Sequence, residues 1–153
     1  MIGIIDYGLG NLASVKNAFD SIDIKSEIIK KPNEVSSCSK LILPGVGAFS
    51  LAMENLNNFG WSNAIETHYK KGKWILGICL GMQLFLNWGF ESGKTQGLNL
   101  VDGKVSKLYK KNKKIKLPHV GWNNLDLKKK DIKILNNINL KSDFILFILL
   151  NVS

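Results

Sequence analysis

The first ninety residues alternate short apolar runs with stretches whose apolar side chains recur at helical spacing. The apolar runs lie at residues 1–6, 40–45 and 73–78, and a helical pattern of apolar positions covers residues 12–22. Strands that alternate with helices pair in parallel, and the helices then cover the faces of the sheet. This alternation therefore predicts an α/β fold in which a parallel sheet is flanked by helices.

Glycine-containing turns follow three of the predicted strands, at residues 8–10, 45–47 and 77–81. The strands of a parallel sheet end at the same edge, and ligands bind in the loops at that edge. We therefore expect these three turns to gather into one functional edge of the sheet.

Further elements are expected between and after these strands. Pro32 is a residue typical of a helix start, so a short helix should begin there. The helical pattern of residues 51–72 should be interrupted near Gly60, and residues 80–88 should form another helix. Past Gly89 the sequence consists of short β-like segments with many turn residues, which predicts β-hairpins added in the C-terminal half. No repeat or linker divides the chain, so a single domain over residues 1–153 is expected.

The charge of the chain is high, but its composition argues against a nucleic-acid partner. The formal net charge is +9, and all 21 basic residues are lysines. Specific readout of bases and phosphates relies on the planar arginine side chain, so a solvated basic surface is the preferred interpretation. A phosphorylated substrate or an acidic partner face remains an open alternative. No apolar run is long enough to cross a bilayer, and two cysteines fit a reducing compartment, so a cytoplasmic protein without membrane contact is expected.

Cys79 stands at the junction between the third apolar run and the next helical segment, with Gly77 and Gly81 on either side. A tight strand-to-helix turn pushes its central side chain outward and crowds the residues two before and two after. This is the arrangement of a nucleophile elbow, and it favours a reactive thiol at Cys79. Cys38, which lies in SSCSK, is expected to be a small buried hydrophobic residue instead.

The same turn predicts a site for an oxyanion. The N–H of Leu80, at the start of the next helix, should face the oxygen of a carbonyl carbon under attack. A second donor would have to come from another loop at a strand end, and PGVG at Pro44–Gly47 is suited to this because glycines allow close approach of the backbone.

Four motifs together resemble the glutaminase subunits of imidazole glycerol phosphate synthase, which are class I glutamine amidotransferases of histidine biosynthesis. The motifs occur in the family's order: IDYGLGN at Ile5–Asn11, LPGVGAF at Leu43–Phe49, GICLGMQ around Cys79 and PHVGWN at Pro118–Asn123. The resemblance implies a flavodoxin-like core and the hydrolysis of glutamine to glutamate and ammonia. It implies that the ammonia passes to a (β/α)8-barrel cyclase subunit, which makes imidazole glycerol phosphate and aminoimidazole carboxamide ribotide. No cofactor and no metal are expected.

The resemblance also implies roles for individual positions. Cys79 matches the nucleophile that forms a glutamyl thioester, and Gln83 matches a residue that helps to hold the substrate. The remaining matches are the oxyanion-hole positions Leu80 and Gly47, with Val46 beside them, and the positions Asn11 and Trp122 near the cyclase interface.

The general base of this chemistry is missing from the sequence. The family carries a His-x-Glu near its C-terminus, whereas the two histidines here, His68 and His119, have Lys70 and Gly121 two residues later. His68 is expected on the surface, and His119 belongs to the PHVGWN motif. Residues 142–144 fit the family's lead-in to the missing segment, so we expect a frameshift or premature stop that removed the triad His and Glu. A genuine short form is the alternative.

Several functions therefore remain open from the sequence. The first is a glutaminase subunit whose catalysis is impaired in this chain. The others are a non-catalytic remnant that binds the cyclase, a paralogue that supplies ammonia for the synthesis of nitrogen-containing surface sugars, and a cysteine hydrolase or redox enzyme of similar fold.

Overall fold

The computed structural model describes residues 1–107, 119–124, 136, 139, 144–148 and 150–152. The chain forms two compact units, one of residues 1–106 with 152–153 and one of residues 107–151. The expectation of a single domain over residues 1–153 stays a prediction.

The first unit is built on a four-stranded parallel sheet. Its strands are β1 (Ile2–Ile5), β2 (Ser26–Ile29), β3 (Lys40–Leu43) and β4 (Trp74–Gly77), arranged in the order β2-β1-β3-β4. All three pairings are parallel and in register over three or four residues. The predicted parallel sheet is therefore confirmed.

Helices connect these strands, as the alternating pattern predicts. They are α1 (Leu12–Asp20), a 3-10 helix (Pro32–Ser37), α2 (Phe49–Asn58) and α3 (Trp61–Lys70). Gly60 separates α2 from α3 in a left-handed conformation with a φ of 76°, and Pro32 occupies the first position of the 3-10 helix. Both boundaries agree with the sequence analysis. No helix in the described part of the chain has the length and apolar character needed to span a membrane.

The core of this unit includes buried side chains from the sheet and from α2 and α3. Ile4, Leu41 and Leu43 of the sheet are fully buried, as are Phe49 of α2 and Trp61 of α3. Complete burial of one such side chain contributes about 1.5–3 kcal/mol. The other helix, α1, has no fully buried residue, so α2 and α3 carry most of the helical share of this core.

His68 is part of the same buried stripe, and its predicted surface position is wrong. Trp61, Ile65 and His68 follow one another at intervals of four and three residues and are the buried residues of α3. This spacing places all three on one face of a helix, so the face that buries Trp61 also buries His68.

The predicted helix at residues 80–88 is also wrong. The chain forms α4 only at Leu80–Gln83 and then turns into β5 at Leu86–Gly89. The N–H groups of Leu98 and Leu100 bond to the carbonyls of Leu84 and Phe85, each at 2.8 Å. In a longer helix those carbonyls would accept bonds from residues four positions further on, so the pairing with residues 98–100 ends the helix.

The remaining strands are short, as the turn-rich pattern indicates. They are β6 (Thr95–Gln96), β7 (Val101–Lys107), β8 (His119–Asn123), β9 (Phe144–Ile148) and β10 (Leu150–Val152). β5 pairs antiparallel with β6 and parallel with β7, and in the second unit β8 pairs antiparallel with β9. Antiparallel pairs are thus present in the C-terminal half, although β7 joins β5 in parallel and not as a hairpin.

Candidate active site

Cys79 occupies the sharp turn between β4 and α4. Its backbone has a φ of 55° and a ψ of −118°, and its side chain is exposed as a free thiol. A non-glycine residue in such a conformation stores about 1–3 kcal/mol of strain, which a fold retains only where the surrounding structure enforces it. The turn therefore has the geometry of a nucleophile elbow, in which the central side chain projects over the edge of the sheet.

The two flanking glycines are sterically required at this turn. A Cβ at Gly81 would lie 1.8 Å from the carbonyl oxygen of Leu43, and a Cβ at Gly77 would lie 2.5 Å from the backbone N of Met82. Both contacts are with backbone atoms, which cannot move aside without displacing β3 or α4. The crowding expected from the sequence on both sides of Cys79 is present in the structure.

The amide of Leu80 is available to a ligand beside the thiol. The N–H groups of Gly81 and Met82 bond to the carbonyls of Ile78 and Cys79, at 3.0 and 3.1 Å. The N–H of Leu80 has no such acceptor among residues 1–107. Because α4 is only four residues long, its dipole is weak, and the free N–H itself is the principal donor beside Cys79.

The loop Pro44–Gly47 lies against this turn. A Cβ at Gly45 would be 2.8 Å from the backbone N of Gly81, so the loop and the elbow are in close contact at this glycine. Val46 is 53% exposed, and Gly47 has a φ of 100° with open space where a side chain would stand. The structure thus brings the two predicted sources of oxyanion-hole amides together.

The other predicted residues lie in three different places. Gln83 is half-buried at the last position of α4, and its N–H donates to the carbonyl of Cys79 at 3.4 Å. Asn11 is exposed and caps α1, because its side chain accepts a hydrogen bond from the N–H of Ser14. Trp122 lies on β8 in the second compact unit and is 69% exposed.

Tyr7 is a residue of this region that the sequence analysis did not single out. Its side chain is fully buried, and a Cβ at Gly45 would lie 2.7 Å from its Oη. Burial, and secondarily the charge of Cys79, raises the pKa of Tyr7 to about 12. The only signal in the sequence was its position at the end of β1, directly before a glycine turn.

His68 is not placed beside Cys79 in the described structure. The carbonyl of His68 accepts a bond from the N–H of Lys73, which sets His68 at the start of β4, whereas Cys79 follows the end of that strand. The four residues of β4 alone span about 13 Å. His119 lies on β8, and its side chain is outside the described residues.

Comparison with known proteins places the chain in a family. Residues 7–132 match the CobB/CobQ-like glutamine amidotransferase domain. The imidazole glycerol phosphate synthase subunit HisH 1 of Campylobacter jejuni strain 81-176 is 46% identical over 145 residues, which are 94% of this chain and 71% of that protein. The chain belongs to the HisH family of glutamine amidotransferases. Another member, subunit HisH of Caldanaerobacter subterraneus subsp. tengcongensis, is 47% identical over 97% of this chain and 70% of its own length.

Solved structures support the fold of this HisH family member. A crystal structure of a glutamine amidotransferase superposes with a TM-score of 0.70 over 97% of this chain and 70% of that chain, at 14% identity. A putative peptidase E protein from Listeria monocytogenes superposes with a TM-score of 0.54 over 65% of this chain and 62% of that chain. At this level of identity the similarity concerns the α/β fold alone, and it agrees with the predicted parallel sheet flanked by helices.

Proposed function

We propose that this chain carries the nucleophile of a glutaminase. The Cys79 thiolate attacks the carboxamide carbon of glutamine, the C–N bond breaks with release of ammonia, and a glutamyl thioester remains on the sulfur. Water then hydrolyses the thioester to glutamate and regenerates the thiol. The observation that carries this proposal is the exposed thiol at a strained turn, directly before an amide N–H that has no acceptor in the described structure.

The tetrahedral adduct on Cys79 carries a negative oxygen that needs hydrogen-bond donors. The free N–H of Leu80 supplies one donor, and an amide at Gly47 or Val46 supplies the second. Each donor of this kind contributes about 2.7–4 kcal/mol to catalysis. Gln83, one turn after Cys79, contacts the bound glutamine in this proposal.

Proton transfer limits what the 153 residues do by themselves. The thiol must lose a proton, and the departing amine must gain one, which in cysteine enzymes of this type is the work of a histidine. His68 stands at the far end of β4, and no histidine in the sequence is followed two residues later by glutamate. We therefore expect slow turnover of glutamine by this chain alone.

The destination of the ammonia in this proposal is a (β/α)8-barrel cyclase of histidine biosynthesis, in the cytoplasm. The relatives are named as subunits of imidazole glycerol phosphate synthase, which supports an assembly of more than one chain. Asn11 and Trp122, which the family resemblance assigns to the interface, are both exposed. A paralogue that supplies ammonia to a surface-sugar pathway would use the same site. The identity of the cyclase that the chain binds distinguishes this alternative from histidine biosynthesis.

The nucleophile is tested with a glutamine analogue that carries an alkylating group. Such a reagent needs only recognition of glutamine and a reactive thiol, so it does not depend on a histidine base. We expect one equivalent of label on Cys79 and none on Cys38, whose side chain is 1% exposed. Competition by glutamine should slow the labelling, and a Cys79→Ser variant should not be labelled. Equal labelling of both cysteines, or no protection by glutamine, would contradict the proposal.

A second candidate function is supported by the exposure of Asn11 and Trp122, the positions that the family resemblance assigns to the cyclase interface. In this alternative the chain binds the cyclase without hydrolysing glutamine, and the cyclase uses free ammonia. Calorimetric titration of the chain with a cyclase subunit measures the association, and the labelling above measures the nucleophile. Association without glutamine-protected labelling supports the second function, whereas labelling supports the first.

A further inference from the structure

The loop Pro44–Gly47 makes no hydrogen bond through its backbone within the described residues. The bond that precedes it runs from the N–H of Ile78 to the carbonyl of Leu43, at 3.0 Å. The first two residues of the loop are nevertheless buried. At least about nine in ten buried backbone polar groups in folded proteins are paired, so this segment has partners still to be made.

The hydroxyl of Tyr7 lies directly against this unpaired segment. Its Oη is 2.7 Å from the position that a Cβ would occupy at Gly45, and the backbone N of Gly81 is 2.8 Å from the same position. The hydroxyl and the elbow therefore contact the same side of Gly45. Oη is buried and has no hydrogen-bond partner in the part of the chain that the structure describes. Two unpaired polar sites thus lie side by side at the edge of the candidate active site.

The position of Tyr7 is fixed more firmly than that of the loop. Its side chain is fully buried, and the side-chain amide of Asn55 donates to its carbonyl at 3.1 Å. The loop contains two glycines, and Gly47 has a φ of 100° with open space where a side chain would stand. Glycines allow the backbone to rotate with little steric cost. A rotation of the backbone at Gly45 therefore brings one of its polar groups to Oη, since a hydroxyl both donates and accepts hydrogen bonds.

We propose that Tyr7 is a positioning residue that holds this loop in the form that stabilises the oxyanion. When a tetrahedral oxygen forms on Cys79, an amide at Val46 or Gly47 turns toward it, and the backbone of Gly45 then pairs with the hydroxyl of Tyr7. The new hydrogen bond exists only together with the oxyanion, so it stabilises the tetrahedral state and not the bound substrate. This role rests on the proposed glutaminase chemistry of Cys79.

The test compares two reagents that modify Cys79 by different routes. With a chloromethyl ketone analogue of glutamine, the sulfur first adds to the carbonyl carbon and creates a negative oxygen, and it then displaces chloride while the thiol proton goes to solvent. Iodoacetamide is attacked directly at the carbon that bears iodine, so no such oxygen forms. We expect Tyr7→Phe to lower the maximal rate of modification by the ketone about fivefold, which corresponds to the loss of one hydrogen bond. The ketone concentration that gives half of this rate, and the rate with iodoacetamide, should both stay within about twofold of the parent chain.

Tyr69→Phe is the matched control, because Tyr69 is 48% exposed on α3, and it should react with the ketone at the rate of the parent chain. Equal ketone rates in Tyr7→Phe and the parent chain would overturn the positioning role. Slower modification of Tyr7→Phe by both reagents would also overturn it, because the thiol itself would then be disturbed. If the ketone does not modify Cys79 of the parent chain, or if glutamine gives no protection, the glutaminase proposal fails as well.

Hydrogen exchange reports on the loop itself. Mass spectrometry follows the amides of residues 45–47 before and after modification by the ketone. Before modification we expect equally fast exchange in the parent chain and in Tyr7→Phe, because the hydroxyl makes no bond in the described structure. After modification, exchange should be about fivefold slower in the parent chain than in Tyr7→Phe. Equal exchange in the two modified proteins would show that Tyr7 does not hold the loop.

Discussion

Tyr7 is a buried polar side chain that contacts the candidate active site without a partner of its own. Its Oη makes no hydrogen bond in the described structure, although the residue is fully buried. The side-chain amide of Asn55 donates to the carbonyl of Tyr7 at 3.1 Å, so the backbone is held while the hydroxyl is not. An unsatisfied buried hydroxyl costs about 1–3 kcal/mol, and it persists here at the contact between the loop Pro44–Gly47 and the elbow.

At the residue scale, we therefore predict that Tyr7→Phe raises the free energy of unfolding by about 1–3 kcal/mol, because it removes an unpaired polar group without changing the ring. Urea denaturation followed by circular dichroism at pH 7 measures the change. Tyr69→Phe, at a residue that is 48% exposed, should change stability by less than about 0.5 kcal/mol. A loss of stability in Tyr7→Phe would show that the hydroxyl is paired in the folded protein and would contradict the prediction.

Single residues differ in how far the sequence predicts them. Gly77 and Gly81 were predictable because the crowding comes from the turn itself and from the neighbouring strand end. The environment of Tyr7 was not predictable, because its hydroxyl lies beside Gly45, which is 38 residues away in the chain. The positions that short-range backbone geometry determines are therefore the ones that the sequence revealed.

At the scale of elements, the start of α2 depends on a distant side chain. Ala48 occupies the N-cap position and provides no side-chain bond. The carboxylate of Glu91, which follows β5, accepts a hydrogen bond from the N–H of Phe49 at 2.9 Å. A negative group at this end of a helix also interacts favourably with the helix dipole. Glu91 therefore connects α2, which follows the loop Pro44–Gly47, to the sheet that contains β5.

We predict that Glu91→Ala lowers the free energy of unfolding by about 1–2 kcal/mol, because the Phe49 N–H loses its cap. Glu91→Gln keeps an acceptor oxygen without the charge, so its free energy of unfolding should decrease less than that of Glu91→Ala. The comparison is Glu54→Ala, which removes an exposed glutamate of α2 whose side chain makes no hydrogen bond or ion pair in the described structure, and which should have little effect. Denaturation in urea measures all three variants, and equal losses in Glu91→Ala and Glu54→Ala would show that the cap does not contribute.

Elements whose ends are determined locally were predicted well, and elements that depend on distant partners were not. The break at Gly60 follows from the ability of glycine to adopt a positive φ, and the start at Pro32 follows from the fixed φ of proline; both are confirmed. The end of α4 after Gln83 was missed because it depends on the bonds from Leu98 and Leu100, which no pattern within residues 80–88 contains. The same applies to the parallel pairing of β5 with β7.

At the scale of the whole molecule, burying a histidine beside two lysines makes stability depend on pH. The folded protein keeps His68 neutral, because burial and the charges of Lys73 and Lys71 lower its pKa. In the unfolded chain the same side chain takes up a proton as the pH falls below about 6.5. The unfolded state therefore binds more protons in this range, and the free energy of unfolding decreases as the pH falls from about 6.5 toward the lowered pKa of His68.

We predict that His68 accounts for a difference of at most one bound proton between the unfolded and folded states. This difference gives the free energy of unfolding a slope of at most about 1.4 kcal/mol per pH unit, and the slope is absent above about pH 7. Urea denaturation between pH 5 and pH 8, in a buffer without phosphate or sulfate, measures the slope. His68→Phe keeps an aromatic ring in the stripe of Trp61 and Ile65 but cannot titrate, so its stability should fall less steeply below pH 6.5 than that of the unmodified chain. Equal slopes in the two proteins would mean that His68 takes up its proton as readily in the folded state as in the unfolded chain, which would contradict the prediction.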